Sequence, residues 1–351
     1  MNAAGDSDDG AGAAALARAA EAGIHCLPIP TPFAVGRVNA YLIEDDPLTL
    51  IDSGPNSGIS LDELERALAA HSHRIEDLGL LVISHQHMDH LGLIDILARR
   101  SGAEVAALDR LVPWVDNYGA EMDADDAFSA ALMRRHGISS DVADALGSVS
   151  RAFRALGARA TVTRPLSDGG DLVLRDRTLR VLHRPGHSPS DTIFWDERRE
   201  ILIGADHLLK HISSNPLISR PLPYAGETAT PTDAGPGRPQ ALVTYLDSLR
   251  RTREMPARLV LGGHGEPIED HVALIDQRFE MHRRRAEKIH GLIAERPRSA
   301  YEIAQALWGR VALTQAYLTL SEVLGHVDLL INADRVHELE RDGVTIFEAT
   351  A

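Results

Sequence analysis

The apolar run Leu80-Leu81-Val82-Ile83 is followed at once by Ser84-His85-Gln86-His87-Met88-Asp89-His90, which packs three imidazoles and a carboxylate into six residues. Such a run reads as a buried strand, and Leu91-Gly92-Leu93-Ile94 can open a helix, so the cluster falls at a strand-to-helix turn. Side chains two apart in extended chain point the same way, which lets His85 and His87 share one ion. The turn into the helix swings Asp89 and His90 toward a neighbouring point. One tetrahedral ion does not accommodate all four donors, so the spacing predicts two ions side by side, with further ligands supplied from elsewhere in the chain.

Three other apolar runs end in the residue types such ions need. They are Leu182-His183-Arg184-Pro185-Gly186-His187, Ile203-Gly204-Ala205-Asp206 and Leu261-Gly262-Gly263-His264. Ligands that recur at strand ends are placed where α/β sheets carry their sites. Asp52 closes a fourth run, Leu48-Thr49-Leu50-Ile51, and reads either as a turn residue or as a carboxylate that orients a metal-binding side chain. Ser60-Leu61-Asp62-Glu63 reads as a capping box opening a helix, and the alternation of strand and helix is α/β in character.

Residues 111–157 form a mostly helical insertion with Pro113, Trp114, Tyr118, Met122, Phe128, Met133 and Phe153. They read as a lid with an apolar substrate wall, or as a hairpin that packs on itself. The Pro/Gly-rich loop over residues 216–239 is too long for a simple connector and is expected to border the pocket. In it Tyr224 is a candidate donor to a substrate carbonyl, and His211 is a second candidate substrate contact. His183 and His207, also close to ligands in the sequence, read as packing residues.

A length of 351 residues exceeds one average domain, which predicts a main domain and an appendage. The division expected is a catalytic domain over residues 24–270 and a C-terminal unit over 271–351. That unit combines a long helix, a capping box at Ser299-Ala300-Tyr301-Glu302, a third helix through Leu318, Val323, Leu324 and Val327, and a hairpin turning at Asp342-Gly343, a winged-helix-like order. The third helix carries Glu322 and Asp328 but no Lys or Arg between 319 and 330, the wrong charge for DNA, which leaves a structural role or a homodimer contact.

The net charge of −15 also disfavours nucleic acid as a partner. The single cysteine, Cys26, excludes an internal disulfide and fits a reducing compartment. Residues 1–23 are rich in Ala, Gly and Asp, with Asp6, Asp8 and Asp9 where a secretory signal carries positive charge. They are expected to be a disordered tail on a cytoplasmic protein. No run approaches the roughly 18 apolar residues of a membrane helix, so a membrane is not an expected partner.

His-x-His-x-Asp-His at 85–90, Gly186-His187-Ser188 with Asp191 close behind, Gly204-Ala205-Asp206 and Gly263-His264-Gly265, in this order, resemble the metallo-β-lactamase superfamily. The resemblance covers about residues 24–270, and the C-terminal unit is similar to the winged-helix extension of a subgroup that includes the β-lactamase-like protein 2 ribonucleases. It implies an α+β fold, an αββα sandwich with its metals at one edge between two sheets. By that resemblance His85, His87 and His187 hold one ion, Asp89, His90 and His264 hold the other, and Asp206 bridges them.

A donor set without thiolate suits zinc, and also iron or manganese; two Zn²⁺ are expected. The activity implied is hydrolysis of an ester, thioester or lactone by a metal-bridging hydroxide oriented by Asp89, on a small molecule with an apolar acyl part, as in glyoxalase II. Two other reactions occur within the resemblance. Endoribonuclease or phosphodiesterase cleavage is suggested by the C-terminal unit and opposed by the charge. Sulfur dioxygenation at a single iron uses one metal half, whereas this chain keeps His90, Asp206 and His264 alike.

Overall fold

The computed structural model describes residues 6–222 and 238–350. Strands β1 (Ile24–Ile29), β2 (Val38–Ile43), β3 (Thr49–Ile51), β4 (Leu80–Ile83), β5 (Glu104–Leu108) and β6 (Arg164–Leu166) form one sheet in that order, antiparallel as far as β3 and parallel beyond it. Strands β7 (Asp171–Val173), β8 (Thr178–His183), β9 (Thr192–Asp196), β10 (Ile201–Ala205) and β11 (Leu259–Gly262) form a second, ordered β11-β10-β9-β8-β7, with only β10 and β11 parallel. The helices are α1 (Asp6–Glu21), α2 (Gly58–Ala70), α3 (Met88–Leu91), α4 (Ile94–Ser101), α5 (Val112–Asp116), α6 (Tyr118–Arg135), α7 (Ser140–Phe153), α8 (Ala241–Arg253), α9 (His271–Glu295), α10 (Ala300–Trp308), α11 (Val311–Thr314) and α12 (Ala316–Asn332).

Strand side chains alternate between two faces, and β4 shows how the layers stack. Leu80 and Val82 join Ile43, Ile51, Phe194, Ile203 and Leu261 in the core between the sheets. Leu81 and Ile83 turn the other way, with Leu42 and Leu50, under Leu64 and Leu68 of α2 and Ile94 and Leu97 of α4. On the second sheet Ile193, Leu202 and Val260 face Leu242, Tyr245 and Leu249 of α8. Helices thus cover both outer faces, which is why these strands are apolar throughout rather than alternating. The result is the αββα sandwich expected, of mixed α+β class.

A C-terminal helical extension with a small sheet follows. Strands β12 (Arg298–Ser299), β13 (Val336–Arg341) and β14 (Val344–Ala349) pair in the order β12-β14-β13. Asp342 and Gly343 both take positive φ, 52° and 77°, as a two-residue type I′ hairpin turn requires. The capping box at Ser299 is formed, Ser299 Oγ accepting from Glu302 N and Glu302 accepting from Ser299 N. Phe128, Leu132 and Met133 of α6 pack with Ala143 of α7 and also with Ile289, Leu320, Leu324 and Phe347, so the insertion is a helical hairpin that shares its core with the extension.

The expected disordered tail is corrected by the structure. Residues 6–21 form α1, and Ala15 and Ala19, one turn apart, are 1% exposed against the core between the sheets. Alanine is the best helix former and needs little room to pack, so a segment that looks featureless by composition still presents an apolar stripe. The capping box expected at Ser60 is also corrected: the helix starts earlier, and Ser57 is the N-cap, accepting from Ser60 N at 3.1 Å. Among the described residues no helix is long and apolar enough to cross a membrane.

Candidate metal centre

The seven donors expected from the sequence meet at one edge of the sandwich. His87 Nδ1 lies 3.1 Å from His85 Nε2 and 2.9 Å from His187 Nε2. His264 Nε2 lies 3.4 Å from Asp89 Oδ2 and 3.4 Å from Asp206 Oδ2. Asp206 stands between the two groups, with Oδ1 3.4 Å from His90 Nε2 and Oδ2 3.5 Å from His187 Nε2. The sets His85–His87–His187, His85–His90–Asp206 and Asp89–His90–His264 each bring their ligand atoms within 4.8 Å of one another.

Four of the rings are anchored through Nδ1, which fixes what Nε2 can do. His187 Nδ1 donates to the Ser214 carbonyl and His264 Nδ1 donates to the Arg37 carbonyl at 2.8 Å. His90 Nδ1 donates to Asp52 Oδ2 at 2.7 Å. Ser84 Oγ donates to Asp52 Oδ2 at 2.7 Å and is left as the acceptor for His85 Nδ1 at 2.9 Å. A proton on each Nδ1 leaves a lone pair on each Nε2, and all four lone pairs converge.

Two of the converging atoms, His90 Nε2 and Asp206 Oδ1, are buried without any hydrogen-bond partner. A buried orphan acceptor is costly, and a cation between these atoms would satisfy both at once. The residues therefore fit divalent metal. The electrostatics agree. Burial holds His85 well below its ordinary value and His87 down to about 3, helped by neighbouring imidazoles. Burial acts the same way on His90 and His264 but is overcome by Asp206, Asp52 and Asp89 around His90, and by Asp206 and Asp89 around His264, which is pushed up to about 9. Asp206 is held well below the carboxylate range, against its burial, by His90 and His264. The centre calls for positive charge, which metal supplies in exchange for protons.

The backbone is shaped to this packing. A Cβ on Gly263 would lie 2.2 Å from Asp206 Oδ1 and 2.9 Å from His90 Cε1, so only glycine lets the chain pass behind the donors. Asn39 Nδ2 donates to the carbonyls of Gly262 and Gly265, each at 3.0 Å, and the Tyr41 hydroxyl donates to Gly262 O at 2.6 Å. These two residues hold the loop that carries His264. The signal for them was present, since polar side chains in a strand buried along its whole length need partners.

The donors open into a cavity of about 630 Å³. Trp114, Tyr118, Met122 and Phe128 of the insertion line it, with Phe33, Leu209, Leu217 and, from the C-terminal extension, Tyr317 and Leu318. Met133 does not reach the cavity and belongs to the core shared with the extension. Arg220, 4% exposed, also lines the wall, where Nε donates to Asp125 at 2.9 Å and Nη2 donates to Glu121. No local signal marks Arg220, because its partners lie 95 and 99 residues away in the chain.

The other sequence candidates fall elsewhere. His211 is half-exposed beside Glu266 at 3.6 Å and is not part of the cavity wall, so the structure does not bring it to the centre. Tyr224 lies outside the described residues. Asp191 accepts from Ser188 N at 2.9 Å and Ser188 Oγ at 2.5 Å, fixing the turn after His187, and burial pushes its carboxyl up to about 6. His183 pairs with the Pro189 carbonyl at 2.9 Å and His207 with Thr252 Oγ1 at 2.8 Å, both packed away from the donors.

A two-sheet sandwich with this donor set at its edge defines a metallo-hydrolase. The chain belongs to the metallo-beta-lactamase superfamily, whose family model matches residues 34–264. It is 34% identical over 304 residues to the "Probable metallo-hydrolase YqjP" of Bacillus subtilis (strain 168), covering 87% of this chain and 91% of that protein. It is 23% identical over 268 residues to the "Beta-lactamase-like protein 2 homolog" of Caenorhabditis elegans, covering 76% and 68%. The crystal structure of a beta-lactamase domain protein from Burkholderia ambifaria superposes with a TM-score of 0.74 at 25% identity, covering 93% of each chain. That superposition takes in the extension as well as the sandwich.

Proposed function

We propose that the protein hydrolyses a carboxylic ester, thioester or lactone of a small molecule with an apolar acyl part, at a site holding two divalent ions. Zinc is the first choice, with iron or manganese as alternatives. The observation that supports this reading is the convergence of four Nε2 lone pairs on Asp206 at the floor of an apolar cavity. His85, His87 and His187 would hold one ion and Asp89, His90 and His264 the other, with Asp206 shared. Bound there, two such ions lower the pKa of a water to near neutral and polarise a carbonyl oxygen.

The chain's own groups do the rest. Asp89, 8% exposed and on the cavity wall, is held below its ordinary value, against its burial, by His90 and His264. It is therefore ionised at neutral pH and placed to orient the attacking water, accept its proton and pass it to the leaving group. Trp114, Met122, Phe128 and Leu318 exclude water from the acyl side. The wall also carries Asp125 and Asp126, and the positive charge of Arg220 is already committed to Glu121 and Asp125. A neutral acyl group suits that lining better than a phosphate backbone.

The test is release of free thiol or acid from acyl-thioesters of graded chain length, simple esters and lactones, by zinc-loaded protein beside a His87→Ala variant. Turnover that rises with acyl length and disappears in the variant is expected. Turnover undiminished in the variant, or RNA cleavage or oxygen uptake in place of acyl hydrolysis, would overturn the assignment.

A further inference from the structure

A separate group of donors stands at the opposite end of the first sheet. β2 begins beside the metal centre, where Asn39 holds the His264 loop, and runs away from it. Glu44 follows its far end, five residues and about 17 Å of strand rise away. β1 is antiparallel to β2, so His25 near its start comes to the same end, paired with Leu42. The C-terminus of α2 closes on this edge, with His71 as its C-cap and His73 two residues on.

The side chains converge there. His25 Nε2 lies 3.2 Å from Glu44 Oε2, and His73 Nε2 lies 3.7 Å from Glu44 Oε1. The His25 and His71 rings are 4.2 Å apart between centroids. Ligand atoms of His25, Glu44 and His71 all fall within 4.8 Å of one another. His25 Nε2 is shielded from solvent, and the Glu44 oxygen 3.2 Å away is not aligned to hydrogen-bond it.

Backbone hydrogen bonds hold the scaffold. The backbone N–H groups of His71 and His73 both donate to Leu68 O at 3.0 Å, and Ser72 between them takes φ 64°, the reversal that turns both rings toward Glu44. Glu44 N donates to Gly23 O at 2.9 Å, tying the carboxylate's own backbone to the chain that leads into β1.

We propose that His25, Glu44 and His71 bind a further divalent transition-metal ion, with His73 within reach as a fourth ligand. Two or three imidazoles with one carboxylate select zinc and its neighbours over calcium or magnesium, which prefer all-oxygen shells. Glu44 is 44% exposed at the side chain and His73 28%, so the ion enters from solvent, and either His73 or water completes its shell. The three ligands come from the start of β1, the end of β2 and the end of α2. A bound ion therefore clamps the helix to the edge of the sheet and stabilises the folded chain by mass action.

The test uses the full chain, stripped by chelator dialysis and titrated with zinc alone, with bound ions counted and melting temperature followed. His71→Ala and Glu44→Gln run beside the parent. Each variant should bind one ion fewer per chain at micromolar zinc, and its melting temperature should rise less with zinc than the parent's does. Both positions are partly exposed, and an unchanged circular dichroism spectrum with an unchanged zinc-free melt verifies that the variants fold. The same ion count in all three proteins, or a difference visible only at millimolar zinc, would overturn the proposal. The readout is a difference between proteins that share the His85 centre, so it holds whether that centre takes one ion or two.

Discussion

Replacing Asp52 by Asn tests how the centre is wired without touching any of its seven donors. Asp52 accepts three hydrogen bonds, from Ser84 N at 2.9 Å, Ser84 Oγ at 2.7 Å and His90 Nδ1 at 2.7 Å. Asparagine has one acceptor oxygen, and the Ser84 backbone N–H, which cannot turn away, claims it. The amide nitrogen then faces Ser84 Oγ and His90 Nδ1 as a donor. His90 must accept at Nδ1, and its proton moves to Nε2, the atom aimed at Asp206. Ser84 Oγ, now accepting from the amide, donates to His85 Nδ1 and drives the same exchange there.

One isosteric change thus removes a ligand lone pair from each half of the site. Loss of such orienting partners costs about 10–100-fold in metal affinity, or about 1.4–2.7 kcal/mol. Competition against a chromophoric chelator measures it, with the thermal melt of the metal-free protein as the folding control. Zinc bound by Asp52→Asn within about twofold of the parent, far inside the expected 10–100-fold, would refute the tautomer argument.

Three further outcomes are expected. Gly263→Ala places a Cβ 2.2 Å from Asp206 Oδ1, so metal stoichiometry should fall while the far-UV spectrum stays that of the parent; full stoichiometry measured by elemental analysis would contradict the close approach. His136, 1% exposed and stacked on Phe347, has neither ring nitrogen hydrogen-bonded, and burial with Arg238 and Arg135 nearby holds it at about 3. Its neutral form contributes stability above about pH 6.5 that is lost as pH falls toward 3, about 2 kcal/mol by pH 5, so His136→Phe should lose that much less between pH 7 and 5 in urea titrations. Burial pushes the Cys26 thiol up to about 12, so alkylation at pH 8 should proceed only after unfolding, as read by mass spectrometry.

The seven donors were legible because each belongs to a local pattern: a strand long enough to be buried, then a ligand at its end. His85, His87, Asp89 and His90 share one turn, and His187, Asp206 and His264 each lie within four residues of the end of a strand of the second sheet. Strand periodicity and the handful of residue types that bind metal are properties of short segments, so a single chain displays them. The αββα layering was what the family resemblance implied; the runs alone indicated only an alternation of strand and helix. β5 and β6 were not legible, because β5 is built around Ala106-Ala107, poor strand formers, and β6 is only Arg164-Pro165-Leu166.

Contacts across long stretches of chain were decided by tertiary structure alone. Asp52 could be a turn or an orienting carboxylate until β3 and β4 paired and set it against Ser84 and His90. Arg220 met Glu121 and Asp125, Tyr317 and Leu318 reached the cavity, and His25 met His71 only once the sheets and the extension had closed. A side chain's chemistry is written in the sequence. Which charges, lone pairs and apolar walls surround it depends on packing between segments that no local periodicity relates, and only the folded chain supplies that.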